Sequence, residues 1–293
     1  MNGTEEAGRR RPKVGLSTTA AGLTTDLGAL TALGPDSIEL CRCGHGEWTR
    51  AAACIKSSPV PVGLHCPVPY DGRLTEFEVT GPSEQGREQA LLLVERTLQT
   101  AFDSSAAYVV VHFPTPHPRP RPAPPSPGTE RPLTSEVILR EGERLAKLQE
   151  RYGVPMFVEN LSYHPDFGSA ADYRALFETY PGLRMCLDVG HAHTSIHSTD
   201  LYDFVARTGE FVSSVHLYNT RREGAHAGAH DIPHPDRQRG DEWIDLPRLL
   251  GTLASVAQPD YLVLEYVSEA LNPLSAMEAL NWARDLGKEL TWG

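Results

Sequence analysis

The sequence lacks the features that mark membrane proteins, disulfide-stapled proteins and general nucleic-acid binders. No apolar run within its 293 residues reaches the length of a membrane-spanning helix. Its five cysteines form no paired framework, so we expect free thiols in a reducing cytoplasm. There are 38 acidic against 27 basic residues, and the formal net charge is −11. That charge disfavours nucleic acid as a partner, because such binders hold phosphates with cations.

Two segments lack the patterns of regular structure. Residues 1–12 contain arginines without an apolar stretch behind them, which predicts a disordered leader rather than a secretory signal. Residues 113–133 contain nine prolines, so we expect a stiff, irregular loop at the rim of the fold. The remainder, residues 13–293, is interpreted as a single domain.

What the sequence does contain is a regular alternation of short apolar runs and helical patterns. The strand candidates are 13–17, 37–41, 61–65, 107–112, 155–159, 183–188, 211–216 and 261–265. Helical patterns with recognisable ends cover 84–102, 135–151 and 246–257, and another begins at Asn272-Pro273. No glycine-rich phosphate turn follows a strand, which argues against an open nucleotide-binding sheet. The pattern predicts an α/β protein with a (β/α)8 TIM barrel.

Polar side chains stand at the ends of the last six predicted strands. They are His65, His112, Glu159, Asp188, His216 and Glu265. Taken singly, such a histidine is more simply a rim residue, and such an aspartate a helix cap. A parallel barrel, however, brings these strand ends around one axis, and buried charges are costly unless they are paired or metal-bound. Carboxylate and imidazole are common ligands of divalent cations, so the six together predict a metal or acid/base site.

Five motifs carry a family resemblance. They are "FVEN" (157–160), "CLDVGH" (186–191), "VHLYNTRR" (215–222), "GDEWIDL" (240–246) and "VLEY" (263–266). In this order they resemble the xylose isomerase-like TIM-barrel superfamily, over about residues 13–288. That superfamily includes sugar and polyol isomerases, epimerases and dehydratases, and also endonuclease IV.

The epimerase branch of the superfamily implies roles for particular residues. Positions matching Glu159, Asp188, His216 and Glu265 hold one divalent ion there, and the two glutamates act as an acid/base pair. Arg222 matches a position that contacts substrate. The resemblance leaves the identity of the ion open among Mn, Zn, Fe, Co and Mg.

The endonuclease IV branch implies a larger centre of two or three ions. Its further histidine ligands match His65, His112 and His191. Its Asp-x-His pair has a counterpart in His234-Pro-Asp236, where the two residue types stand in reverse order. The segment "ENLSY" (159–163) is also similar to part of the signature of multinuclear non-heme iron oxidases.

Three functions therefore remain open at the level of sequence. The leading one is a divalent-metal-dependent isomerase, epimerase or lyase that moves protons on a small polyhydroxylated or keto substrate. The second is a multinuclear enzyme, either a phosphodiesterase like endonuclease IV or a non-heme iron oxidase. The third is a non-catalytic metal-binding barrel. Whether the chain forms a homo-oligomer is left open.

Overall fold

The computed structural model describes residues 11–292 except 23, 71–78, 82, 115–134, 163, 165–166, 198–199, 224–226, 235–239, 241, 269–271 and 291. Most of the predicted leader (1–12) and of the proline-rich loop (113–133) therefore lies outside the described residues. Within the described part, no helix combines the length and apolar character needed to cross a membrane.

Eight parallel strands close into a barrel in chain order. They are β1 (Lys13–Ser17), β2 (Ser37–Leu40), β3 (Val62–His65), β4 (Tyr108–His112), β5 (Met156–Glu159), β6 (Arg184–Asp188), β7 (Val212–Leu217) and β8 (Tyr261–Leu264). The barrel closes where β1 pairs with β8, with Lys13 opposite Tyr261. The predicted (β/α)8 fold is confirmed, and each predicted strand end lies within one residue of the observed end.

Helices cover the outside of the barrel. The described ones are α1 (Leu27–Ala32), α2 (His45–Ile55), α3 (Glu84–Ser104), α4 (Ser135–Tyr152), α5 (Ala170–Thr179), α6 (Val189–His193), α7 (Leu201–Thr208), α8 (Leu246–Val256) and α9 (Pro273–Glu289). The side chains of Ser83, Asp245 and Asn272 accept hydrogen bonds from the backbone of the first turns of α3, α8 and α9. These are the cap positions that the sequence indicates, because a polar side chain there satisfies an otherwise unpaired N–H group.

An aromatic cluster fills the barrel interior toward the N-terminal ends of the strands. The ring of Tyr108 lies 5.0 Å from that of Phe157 and 4.6 Å from that of Tyr261, centroid to centroid. Gly63 on β3 leaves room for it, since a Cβ atom there would lie 2.2 Å from the Tyr108 ring. The interior of the barrel is therefore packed below the strand ends, and polar side chains gather above this floor.

Candidate metal centre

Four buried side chains meet at the C-terminal end of the barrel. Glu159 ends β5, Asp188 ends β6, His216 lies near the end of β7, and Glu265 directly follows β8. Each offers one ligand atom, and these four atoms all lie within 4.8 Å of one another. Three carboxylates and one imidazole at this spacing form a donor set suited to a divalent cation.

The buried oxygen and nitrogen atoms of this group provide a test of whether a cation fits. Asp188 Oδ1 accepts hydrogen bonds of 2.7 Å from the His191 backbone N–H and from the Tyr218 hydroxyl. Asp188 Oδ2 is buried and has no hydrogen-bond partner among the described residues, and the buried His216 Nδ1 forms no well-aligned hydrogen bond with any of them. His216 Nδ1 lies only 2.9 Å from Glu265 Oε2. Buried polar atoms without partners are costly, and a cation bound between them would remove that cost. The residues therefore fit a divalent ion.

Asp188 has two structural tasks, one for each carboxylate oxygen. Its Oδ1 caps α6 through the His191 N–H, as the simpler interpretation of a strand-end aspartate predicts. Its Oδ2 is buried and accepts no hydrogen bond among the described residues, so it is available to a cation. Because different oxygens serve them, helix capping and metal binding do not exclude each other here.

The charges within the group stabilise ionised carboxylates and protonated imidazoles. Burial alone would raise the pKa of Glu159, but the charges of His112 and His216 hold it well below its usual range. Burial also opposes ionisation of Glu265, and His216 nevertheless lowers its pKa to about 2. Burial would lower the pKa of His65, whereas its hydrogen bond to Glu159 outweighs that effect and raises the pKa to about 9. In the absence of a metal ion, protons on the histidines balance the carboxylates.

Three further histidines surround Glu159. Its Oε2 lies 3.0 Å from His65 Nε2 and 3.3 Å from His112 Nε2, and its Oε1 lies 3.4 Å from His191 Nδ1. His65, His112 and Glu159 form a second group of three whose ligand atoms lie close enough for an ion. The structure thus gathers all six predicted strand-end side chains, together with His191, in one place.

The other predicted residues lie differently. Arg222 is exposed, and its Nε donates a hydrogen bond of 3.1 Å to the carbonyl oxygen of His193. His234 is half-buried and is not part of the described lining of the central cavity. Asp236 lies outside the described residues. A substrate contact for Arg222 and a further metal position at His234 and Asp236 stay predictions.

Glu39 on β2 belongs to the site, and the sequence reasoning missed it. It has no exposed surface, and its Oε1 lies 3.0 Å from His216 Nε2, the ring nitrogen opposite the one that faces Glu265. The Tyr108 hydroxyl donates a hydrogen bond of 3.1 Å to Glu39 Oε2. The available signal was a lone carboxylate between Ile38 and Leu40, because a charge inside a continuous apolar strand requires a partner.

A cavity of about 500 Å³ lies above the four clustered ligands. Its lining includes His65, His112, Glu159, His191, His230 and Glu265. Asp188 and His216 do not belong to its described lining. Two of the four ligands therefore face the cavity, and the other two lie behind them.

A closed (β/α)8 barrel with carboxylates and imidazoles gathered at the C-terminal strand ends defines a TIM-barrel protein with a candidate metal centre. The chain also matches a family model described as "Xylose isomerase-like TIM barrel" over residues 28–286. The chain therefore belongs to the xylose isomerase-like TIM-barrel family.

Solved structures with the same fold include several sugar epimerases. A D-tagatose 3-epimerase-like protein superposes with a TM-score of 0.71 at 15% identity, covering 94% of this chain and 97% of the other. An L-ribulose 3-epimerase gives 0.69 at 16% identity, covering 95% of each chain. The 3-keto-D-glucoside 4-epimerase YcjR from E. coli gives 0.65 at 19% identity, covering 94% of this chain and 100% of the other. No curated protein sequence matches the chain. At these identities the likeness establishes the fold.

Proposed function

We propose that this protein is a divalent-metal-dependent isomerase or epimerase that acts on a small polyhydroxylated or keto substrate, with lyase chemistry as a variant of the same proton abstraction. The observation that carries the proposal is the division of the four clustered ligands. Glu159 and Glu265 face the cavity, whereas Asp188 and His216 lie behind them. Two carboxylates that border both the substrate space and the ion are what proton transfer at carbon requires. The epimerases of the same fold support this class of reaction.

The chemistry divides between the ion and the side chains. A divalent ion held by these four residues would polarise the substrate carbonyl and so acidify the neighbouring C–H bond. Glu265, a carboxylate that lines the cavity, is assigned to accept the proton from carbon. Glu159 approaches the cavity from β5, three strands away from β8, and is assigned to return a proton.

The histidines around Glu159 provide the source of that proton. His65 is protonated at neutral pH, because its pKa is raised to about 9, and it is hydrogen-bonded to Glu159 Oε2. Because Glu159 is itself ionised, the proton that it delivers to the substrate is one that it first receives from His65, over a distance of 3.0 Å. Glu265 has only His216 as a close imidazole neighbour in the described ion pairs, so it is the better proton acceptor.

The proposal predicts exchange of a carbon-bound hydrogen with solvent. Metal-loaded protein incubated with ketohexoses in D2O should incorporate deuterium at the carbon next to the carbonyl, because the carboxylate that takes up a proton exchanges it with solvent. Nuclear magnetic resonance would detect the exchange and any epimer formed. Metal-stripped protein and a Glu265→Gln variant serve as controls and should leave the substrate protiated. Absence of exchange with every tested metal and ketose would contradict the proposal.

A multinuclear enzyme is the second candidate, and the group of His65, His112 and Glu159 favours it. Their ligand atoms lie close enough for an additional ion, with Glu159 shared between the two positions. Two ions bridged in this way suit phosphodiester hydrolysis or oxidation. The net charge of −11 weakens the case for a DNA substrate.

Metal counting on His65→Ala and His112→Ala variants separates the two candidates. An enzyme with a single ion held by Glu159, Asp188, His216 and Glu265 keeps about one ion per chain in both variants, because neither histidine belongs to that set of ligands. A multinuclear enzyme loses about one ion per chain in each variant. Elemental analysis of the purified proteins checks this, and the leading proposal expects the first result. Wild-type protein that takes up no ion under replete conditions would instead support the non-catalytic barrel.

A further inference from the structure

The loop between β2 and α2 holds Arg42 in an unusual backbone conformation at the edge of the central cavity. Its φ angle is +52°, in the left-handed region that favours glycine. Ser105 is the other described non-glycine residue with a positive φ angle, and it lies at the C-terminal end of α3, where that conformation is common. Arg42 ends no helix. Its conformation therefore requires a different explanation.

The residues on both sides fix this conformation. The Cys41 backbone N–H donates to Thr18 Oγ1 at 2.8 Å, and the Thr18 hydroxyl donates to the Cys41 carbonyl oxygen at 3.0 Å. The Cys43 carbonyl oxygen accepts a hydrogen bond of 2.7 Å from the Tyr70 backbone N–H. Both thiols are buried, whereas Arg42 between them is exposed and lines the cavity. A glycine would adopt this backbone without strain, so an arginine here indicates a task for its side chain.

The Arg42 guanidinium has no partner among the residues that the structure describes. No carboxylate among the described residues lies within ion-pair distance of it, and no described group forms a hydrogen bond with its side chain. The carboxylates that line the same cavity, Glu159 and Glu265, are engaged with His65 and His216 instead. One cavity thus has an acidic, histidine-rich end and, apart from it, a cation without a partner in the described part of the chain.

We propose that the substrate carries an anionic group, a phosphate or a carboxylate, and that Arg42 binds it. The inference rests on the proposed function and narrows its substrate class. Carboxylates at the inner end of the cavity repel an anion, whereas the hydroxyl and carbonyl oxygens of a sugar suit an ion bound there. A guanidinium presents parallel N–H donors that match two oxygens of a phosphate or carboxylate. Arg42 thereby selects a negatively charged substrate and determines the orientation in which it enters the cavity.

The test compares fructose, fructose 6-phosphate and fructuronate as substrates of the metal-loaded full-length protein. Wild-type protein should favour one of the two anionic sugars over fructose by about tenfold or more in kcat/KM, as expected for a charge-assisted contact. Which of them is favoured distinguishes phosphate from carboxylate recognition. Arg42→Gln should lose the preference mainly through KM, and Arg42→Lys should retain part of it. Arg50→Gln, an exposed change on α2, is the matched control and should keep the full preference.

Two further measurements keep the outcomes distinct. Arg42→Gly relieves the strain of the left-handed backbone, so the variant should melt at no lower temperature than wild type. If it also loses the preference for anionic sugars, misfolding is excluded as the cause of that loss. Calorimetric binding of the same three sugars needs no turnover. Binding that depends on Arg42 without turnover would overturn the proposed reaction alone. Equal kcat/KM for neutral and anionic sugars would overturn the anionic substrate class, and a preference that survives Arg42→Gln would overturn the role of Arg42. Neither result would affect the proposed reaction.

Discussion

Asp188→Asn is expected to reduce bound metal from about one ion per chain to almost none. Turnover should fall at least about 100-fold, beyond the 10- to 100-fold loss that is typical when a residue supporting a metal ligand is changed. The variant keeps the shape of the side chain. Asn Oδ1 can still accept the hydrogen bonds from the His191 N–H and the Tyr218 hydroxyl. The other oxygen, which has no hydrogen-bond partner among the described residues, becomes an NH2 group that cannot bind a cation.

The fold should survive this change, because asparagine is as good a helix N-cap as aspartate. Asp200→Asn is a matched control, since Asp200 caps α7 in the same way and is exposed. It should retain full metal content and activity. Elemental analysis, turnover and circular dichroism on the two variants provide the comparison. A folded Asp188→Asn protein with normal metal content would exclude the proposed centre.

The strand positions were predictable because each strand is buried on both faces. The segment "YVVVH" of β4 is continuous, β-branched and of strand length, which is typical of a parallel barrel. Glu265 shows how closely the predicted strand ends match the observed ones. It lies one residue beyond the end of β8, but its backbone N–H donates to the Leu217 carbonyl oxygen at 3.2 Å and so continues the pairing with β7. Its side chain consequently reaches the site from the position that the sequence indicates.

Prediction from strand ends did not identify Glu39 or Arg42, for different physical reasons. Glu39 lies inside β2 rather than at its end, and its role depends on the three-dimensional approach of β7, which brings His216 to 3.0 Å. Arg42 belongs to none of the sequence motifs that indicate the site. Its importance comes from a φ angle of +52°. Neither an arginine nor the residues beside it in the sequence predict a backbone conformation of this kind.

Glu39→Gln is expected to weaken metal binding about 10- to 100-fold, the range found when the partner of a ligating histidine is removed. Glu39 Oε1 lies against His216 Nε2, so its negative charge raises the electron-donor strength of Nδ1 on the far side of the ring. Glutamine fills the same volume and can accept a hydrogen bond from the Tyr108 hydroxyl, but it carries no charge. Direct titration of the metal-free protein with Mn²⁺ or Zn²⁺ measures the affinity without any assay of activity.

A second buried carboxylate provides a control that distinguishes the role of Glu39 at His216 from the loss of stability caused by removing any buried charge. Glu141 on α4 also has no exposed surface and pairs with Arg87, Arg140 and Arg144. Glu141→Gln should lower the melting temperature, because it removes the charge that pairs with the buried Arg87 guanidinium, while metal affinity stays at the wild-type value. If Glu39 acts through His216, only Glu39→Gln weakens metal binding. Equal metal affinity in the two variants would show that Glu39 serves the packing of the barrel interior alone, and His216 would then need no carboxylate partner to hold the ion.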